Sequence, residues 1–448
     1  MVVITQESRE DLATRDRYAA VERGLIVAGF AVLFFLLPHA LAGDDNTRFR
    51  DIELLLHHGR LSDSMYSLVM PLLSVPVLEL GNVVESPAWW AARFNVILVA
   101  AAVAVACWLL RGRADPRLLR LTVLVLLFAS FLTERLRDYN AEVMTASFVT
   151  VGIICIATGR HMLAGWAAIV IGVVNTPATI VGLVLLAGWE TLRNRRLRYL
   201  APVVAAVALI MTEDWVRRGG PLVTGYANNH GIRTIMPYSG LPGFSYPFLL
   251  GVAAILFSFG RGLLFFMPGL FLWLDRRTRL LVRPLPGRPA VTLMLLFTAG
   301  LVLVYAKWWA WYGGLTWGPR FFLFAAIPAS VLLAARVWRA GRSPSADAVT
   351  LAVLALSAWV GCAGAISNLH QALGVCAAGH FQNEQLCWFT PDFSPLWQPV
   401  RHFPHLTSST AIVALYCFAI FCYLAAPLVT GLLRSVHLKP SWAEGWRV

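Results

Sequence analysis

Two adjacent carboxylates, Asp44 and Asp45, open the polar segment Gly43-Asp44-Asp45-Asn46-Thr47-Arg48, which follows the first long apolar run of the chain. Neighbouring carboxylates repel, which favours a retained proton, a bound cation or a basic partner. A carboxylate so placed can take the proton of an attacking hydroxyl. It can equally cap the helix expected from Arg48 to His58. Other polar residues cluster at comparable points: Glu134, Arg135, Arg137, Asp138 and Glu142 behind the third apolar run, and Arg261 between Gly260 and Gly262. A further stretch runs Lys307-Trp308-Trp309-Ala310-Trp311-Tyr312-Gly313-Gly314-Leu315-Thr316-Trp317-Gly318-Pro319-Arg320. Arginine presents a planar fork that suits phosphate, and flanking glycine permits close approach. The bland readings are lipid headgroup contact for Arg261 and Arg320, and an interfacial aromatic belt for the tryptophans, Trp311 and Trp317 among them. Arg48, His58, Asp138, Glu142, Lys307, Trp311 and Trp317 are candidates for substrate contact.

The elements that carry these residues lie in a bilayer. Of 448 residues, 58% are hydrophobic and only 14% charged, whereas soluble chains run nearer a quarter charged. A spanning helix takes about 20 apolar residues. Apolar runs separated by charged gaps predict an all-α polytopic membrane protein of about twelve transmembrane helices (ten to thirteen) with loop helices on its outer face. The runs are 24–41, 88–110, 118–132, 143–159, 162–174, 177–189, 199–211, 262–274, 290–306, 321–338, 348–366 and 410–433. Those between 162 and 189 could form a tight hairpin at Asn175-Thr176-Pro177. The segment 248–259 is too short to cross and is read as re-entrant or surface-lying.

With the N-terminus in the cytoplasm, the inner segments collect 24 basic residues against 10 acidic, and the outer side keeps 13 basic and 14 acidic. The net charge of +13 is then a topology signal, and nucleic acid is not needed to explain it. The expected organisation is a cytoplasmic segment 1–23, one membrane-embedded domain 24–433 and a cytoplasmic tail 434–448, with the working face extracytoplasmic at the plasma membrane. A cleavable signal peptide ending near Ala40-Leu41-Ala42 is the minor alternative, opposed by an acidic 23-residue leader. No Walker motif or dinucleotide fingerprint occurs on the inner side.

The Asp pair after the first span, the Gly-Arg-Gly before Leu263, and Trp317-Gly318-Pro319-Arg320-Phe321 opening another span resemble the GT-C superfamily of polytopic glycosyltransferases. That superfamily includes protein O-mannosyltransferases, bacterial aminoarabinose transferases and actinobacterial mannosyl- and arabinosyltransferases of the cell envelope. The resemblance implies a sugar donor on polyprenyl phosphate, reached from the outer leaflet, and inverting transfer to a glycan, lipoglycan or protein acceptor, with mannose and arabinofuranose as the leading sugars. It places the base, or a metal-proximal group, at Asp44 or Asp45, and the donor phosphate at Arg261 and Arg320. A divalent cation at the Asp pair stays open. The sequence has Asp-Asp where several members have Asp-Glu, and shows no large C-terminal soluble domain of the kind many members carry.

A transporter or flippase of a lipid-linked sugar is the rival. Transporters carry buried charge near the midplane, whereas the spans here are nearly charge-free. Finally, Cys376 and Cys387 share the last outer loop, where an oxidising compartment favours a disulfide over a zinc site with His370 and His380, whose spacing matches no standard site.

Overall fold

The computed structural model describes residues 6–226, 233–273, 289–367 and 369–437. It is helical, with no strand among the described residues. Among the described residues, seven helices are long and apolar enough to cross a membrane: Tyr18–Phe35, Pro87–Leu110, Ala141–Thr158, Leu197–Arg218, Arg320–Trp338, Pro344–Ile366 and Ser408–Ser435. Helices Pro116–Phe128, Met162–Asn175, Ile180–Asn194 and Ala290–Tyr305 fill gaps between them.

Local chemistry sets these boundaries. Ser86 and Asp115 cap their helices through side-chain oxygens, and Pro87 and Pro116 occupy the first helical positions, where a missing N–H costs nothing. The 162–189 pair is a tight turn: Met162–Asn175 leads through Thr176 and a 3-10 turn, Pro177–Thr179, into Ile180–Asn194. Met162–Asn175 lies against Ala141–Thr158 through small residues. A Cβ on Gly165 would sit 2.6 Å from the Cys155 Cβ, and one on Gly152 would sit 2.5 Å from the Gly165 carbonyl. Such contact replaces the hydrophobic drive that is weak between helices in lipid.

One expected span is corrected. Over its described part, 262–274 is not a continuous helix but the four residues Leu263–Phe266 and the 3-10 turn Pro268–Phe271. Pro268 interrupts the helix, and Gly269 packs where a Cβ would meet the Ala329 carbonyl at 2.5 Å. The segment expected to be re-entrant is a ten-residue helix, Phe248–Phe257, about 15 Å long at 1.5 Å per residue. The Arg-rich stretch 276–288 and the tail beyond 437 lie outside the described residues.

The bundle has two polar ends. At one, Arg137 donates to the carbonyls of Pro38, Gly364 and Ser367, tying together three helix ends. At the other, fully buried Glu22 accepts from Arg117 at 3.3 Å, Arg120 at 2.5 Å and the Tyr423 hydroxyl at 2.9 Å. This joins the first and last long helices where a lone buried carboxylate would be costly. The Asp pair lies at the Arg137 end.

Candidate active site

Helix Asp44–His58 begins after Gly43, whose φ is +55°, with no side-chain cap. The two aspartates therefore do not cap. They occupy the first turn, where negative charge suits the helix dipole, and successive residues there point about 100° apart, at 3.6 residues per turn. The structure separates them accordingly. Asp44 faces a cavity of about 280 Å³ and accepts from Arg320 at 2.6 Å. Asp45 is buried behind it and accepts from Arg48 at 3.0 Å.

The cavity is built by parts of the chain far apart in sequence. Its polar wall holds Asp44, Arg48, Tyr66, Glu142, Glu213 and Arg320, and Trp308, Tyr226, Phe244 and Phe321 supply aromatic surface. Asn140 caps Ala141–Thr158 by accepting from the Glu142 N–H at 3.1 Å, which fixes Glu142 in the first turn. Asn175 braces the same region, donating to the Ala141 carbonyl at 2.9 Å and accepting from Met70 N–H at 3.1 Å. Arg217 holds the facing loop through the carbonyls of Ser62 and Tyr66.

Electrostatics distinguish the two aspartates further. Burial alone would raise the Asp44 carboxyl, but Arg320, a hydrogen bond from Tyr66 and Arg48 together hold it below the usual carboxylate range. Asp45 is pushed up to about 7, chiefly by burial, with Asp138 and Glu142 adding to it against Arg48 and Arg135. Asp138 is pushed up to about 6 by burial and Glu134 against Arg135 and Arg137. Of the two aspartates, Asp44 is thus the one held ionised, and it is the one at the cavity. Glu142 Oε2 and Arg320 Nε are buried without hydrogen-bond partners among the described residues, in a wall where each would gain from a ligand's polar group.

The remaining expected residues fall elsewhere. His58 is exposed at the far end of its helix, and Lys307 is also exposed. Asp138 pairs with Arg135 at 3.5 Å behind Asp45. Trp311 and Trp317 are each 1% exposed and belong to the packed core, where Trp317 Nε1 donates to the Val360 carbonyl at 3.2 Å. They form neither an interfacial belt nor a cavity wall.

Arg261 is corrected most plainly. It does not line the cavity. Its guanidinium is 1% exposed, donates to the carbonyls of Gly318 and Gly314 at 2.8 Å each, and lies 4.2 Å from the Trp388 ring centroid. Burial, with Arg135 and Arg320 nearby, lowers it to about 9 against Glu134 and Glu384. Its glycines serve the backbone. A Cβ on Gly260 would sit 2.0 Å from the Cys387 carbonyl, and one on Gly262 would sit 2.4 Å from the Ser258 carbonyl.

Cys376 and Cys387 form the expected disulfide, Cα to Cα 5.9 Å, and Trp388 follows directly. The His370 side chain lies outside the described residues. No group of three or more His, Cys, Asp or Glu side chains is arranged to hold a metal ion among the described residues, and Asp44 faces a guanidinium, so the Asp pair does not fit a cation site.

Sequence reasoning did not single out Tyr66, Glu213, Arg218 or Tyr226. The available signal was the charged run Glu213 to Arg218 closing an apolar helix, while Tyr66 had none.

The fold is a bundle of helices, seven of them among the described residues long and apolar enough to cross a membrane. It is similar to the crystal structure of ArnT from Cupriavidus metallidurans in the apo state, with a TM-score of 0.52 at 17% identity over 93% of this chain and 78% of that one. It is similar also to ArnT from the same organism bound to undecaprenyl phosphate, with a TM-score of 0.51 at 16% identity over 91% and 77%. No family model and no curated protein matches the chain.

Proposed function

We propose that this protein transfers a sugar from a polyprenyl-phosphate donor to a cell-envelope acceptor at the Asp44 cavity, on the extracytoplasmic face of the plasma membrane, with both termini cytoplasmic. The observation that carries the reading is the Asp44–Arg320 pair across a polar, aromatic-walled cavity at one end of a helical bundle. The similarity to an ArnT structure holding undecaprenyl phosphate supports the donor class.

A sugar on lipid phosphate is already activated, so the protein must place the acceptor hydroxyl, remove its proton and stabilise the leaving phosphate. Arg320 supplies fixed positive charge, and its unpartnered Nε–H can donate to a phosphate oxygen. As the phosphate draws on Arg320, the charge that depresses Asp44 is shared. Asp44 becomes a stronger base when the donor is bound, and ready to take the hydroxyl proton on the opposite side of the anomeric carbon, as inversion requires. Arg48, held by Asp45 and lying 4.2 Å from the Tyr66 ring centroid, adds a second cation, while Glu142 has a free acceptor for sugar hydroxyls. Mannose and arabinofuranose are the sugars proposed, with a glycan, lipoglycan or protein acceptor.

The test is reconstitution of the full chain with radiolabelled mannosyl- and arabinofuranosyl-phosphoryl polyprenol and a cell-envelope acceptor fraction. Transfer by the native protein that disappears in Asp44→Ala supports the reading. Movement of the labelled lipid between leaflets without transfer marks a flippase and overturns it.

A further inference from the structure

The molecule has a second cavity of about 160 Å³ that shares no lining residue with the first. Its walls come from helices Pro87–Leu110, Pro116–Phe128, Ala141–Thr158, Ala290–Tyr305 and Arg320–Trp338, and almost every lining residue is apolar. Pro87–Leu110 and Pro116–Phe128 are consecutive, joined by residues 111–115, yet they diverge and leave the groove between them. Ala102, Val103 and Ala106 line one side and Leu119, Leu126 and Thr122 the other. It reaches Leu110, Ala114 and Leu118, at the end of the bundle where Glu22 binds Arg117 and Arg120, opposite Asp44.

The mouth at that end is basic. Arg111 and Arg160 are exposed and make no ion pair with a described residue. Arg113 donates to the Thr158 carbonyl, which joins the two loops, and the Trp108 ring stacks on His161 at 5.6 Å. The nearby acids are committed: Asp115 accepts from the Arg117 and Leu118 N–H groups at 2.8 and 2.9 Å, and Glu22 is shared by two arginines. Trp108 is 57% exposed beside this mouth, a placement typical of the headgroup level. An apolar groove between helices, entered beneath loop arginines with uncommitted charge, fits one ligand chemistry: hydrocarbon chain below, phosphate above.

We propose that this groove binds an anionic phospholipid of the leaflet opposite the Asp44 cavity, its acyl chain between Pro87–Leu110 and Pro116–Phe128 and its phosphate at Arg111, Arg113 and Arg160. The site is separate from the donor site and does not rest on the transferase reading. A polyprenyl-phosphate donor engaged at Arg320 would carry its phosphate at the other end of the bundle.

Cys107 lines the groove and is exposed, while Cys422, also exposed, lies on Ser408–His437 outside it. The two therefore report on the groove and on a reference surface within one protein. The full chain in detergent, stripped of lipid, is alkylated with N-ethylmaleimide in the presence of phosphatidylglycerol, phosphatidylcholine or undecaprenyl phosphate, and modification is read by mass spectrometry at each cysteine. Phosphatidylglycerol should slow Cys107 severalfold more than phosphatidylcholine does and leave Cys422 unchanged. The double variant Arg111→Gln/Arg160→Gln should lose that preference. Ala106→Trp, which fills the groove, should reduce the phosphatidylglycerol retained in native mass spectra. Equal effects of both phospholipids, an unchanged preference in the double variant, or protection by undecaprenyl phosphate alone would each overturn the proposal, the last by assigning the groove to a polyprenyl chain.

Discussion

Arg261 and Arg320 look alike in sequence and do opposite things in the structure. Each follows a glycine-containing turn and precedes an apolar run. Arg320 faces a cavity and pairs with Asp44 at 2.6 Å. Arg261 is sealed against Trp388, with its two terminal nitrogens spent on the carbonyls of Gly314 and Gly318. Those carbonyls belong to the turn that delivers Arg320. One arginine thus holds in place the loop that presents the other, and the charge available to a ligand belongs to Arg320. What closes Arg261 to a phosphate is burial: it is 1% exposed under Trp388 and lines no part of the cavity, although its Nε has no hydrogen-bond partner among the described residues.

The contrast can be broken by substitution. The largest effect is expected at the cavity. Asp44→Ala should lower sugar transfer by roughly 10² to 10⁴, the range for loss of a general base, while thermal unfolding in detergent stays near that of the native protein. A comparable loss of stability in this variant would make Asp44 structural. Arg261→Met should do the reverse. Leaving the Gly314 and Gly318 carbonyls without donors should cost about 3 kcal/mol, read as a lowered unfolding midpoint, with phosphate affinity retained by the fraction that remains folded.

Smaller effects follow from the parts that support these two. The Cys376–Cys387 bond closes a short loop just before Trp388, so Cys376→Ser should lower stability by about 3 kcal/mol at most by the chain-entropy account. An unfolding midpoint unmoved by reductant would show that the Trp388 cradle does not need the bond. The smallest is a pH effect at Asp45. Its carboxyl is raised in the folded state to about 7 from 3.8, so its contribution to stability is full below 3.8 and fades as pH climbs through about 7. Asp45→Asn, which stays neutral, should flatten that part of the pH–stability curve; an unchanged slope would place the titration elsewhere.

Much of the fold was legible because apolar runs long enough to cross a bilayer are the strongest signal a sequence carries. The helices Pro87–Leu110 and Ala290–Tyr305 lie within a residue of their expected bounds. The stretch 262–274 was not legible, since it is apolar enough for a span and only its packing against Ala329 shows why Pro268 and Gly269 break it. The site was half legible. Asp44, Arg48, Glu142 and Arg320 stood out as scarce charges at the ends of apolar runs, and the structure brings them to one cavity. What separates Asp44 from Asp45 is helix phase, and what separates Arg320 from Arg261 is a tryptophan far along the chain. Neither is a local property. Tyr66 was invisible for the same reason, because nothing around it in sequence records its meeting with Asp44 and Arg48.

The central claim is that the Asp44–Arg320 cavity receives the donor phosphate. It is tested most directly by the equilibrium affinity of purified full-length protein for undecaprenyl phosphate, compared among the native chain, Arg320→Gln and Arg261→Gln. A loss of tenfold or more in Arg320→Gln is expected, since a charge-assisted bond contributes about 1.5 to 3 kcal/mol, with the folded fraction of Arg261→Gln binding as the native chain does. Native affinity in Arg320→Gln together with lost affinity in folded Arg261→Gln would contradict it.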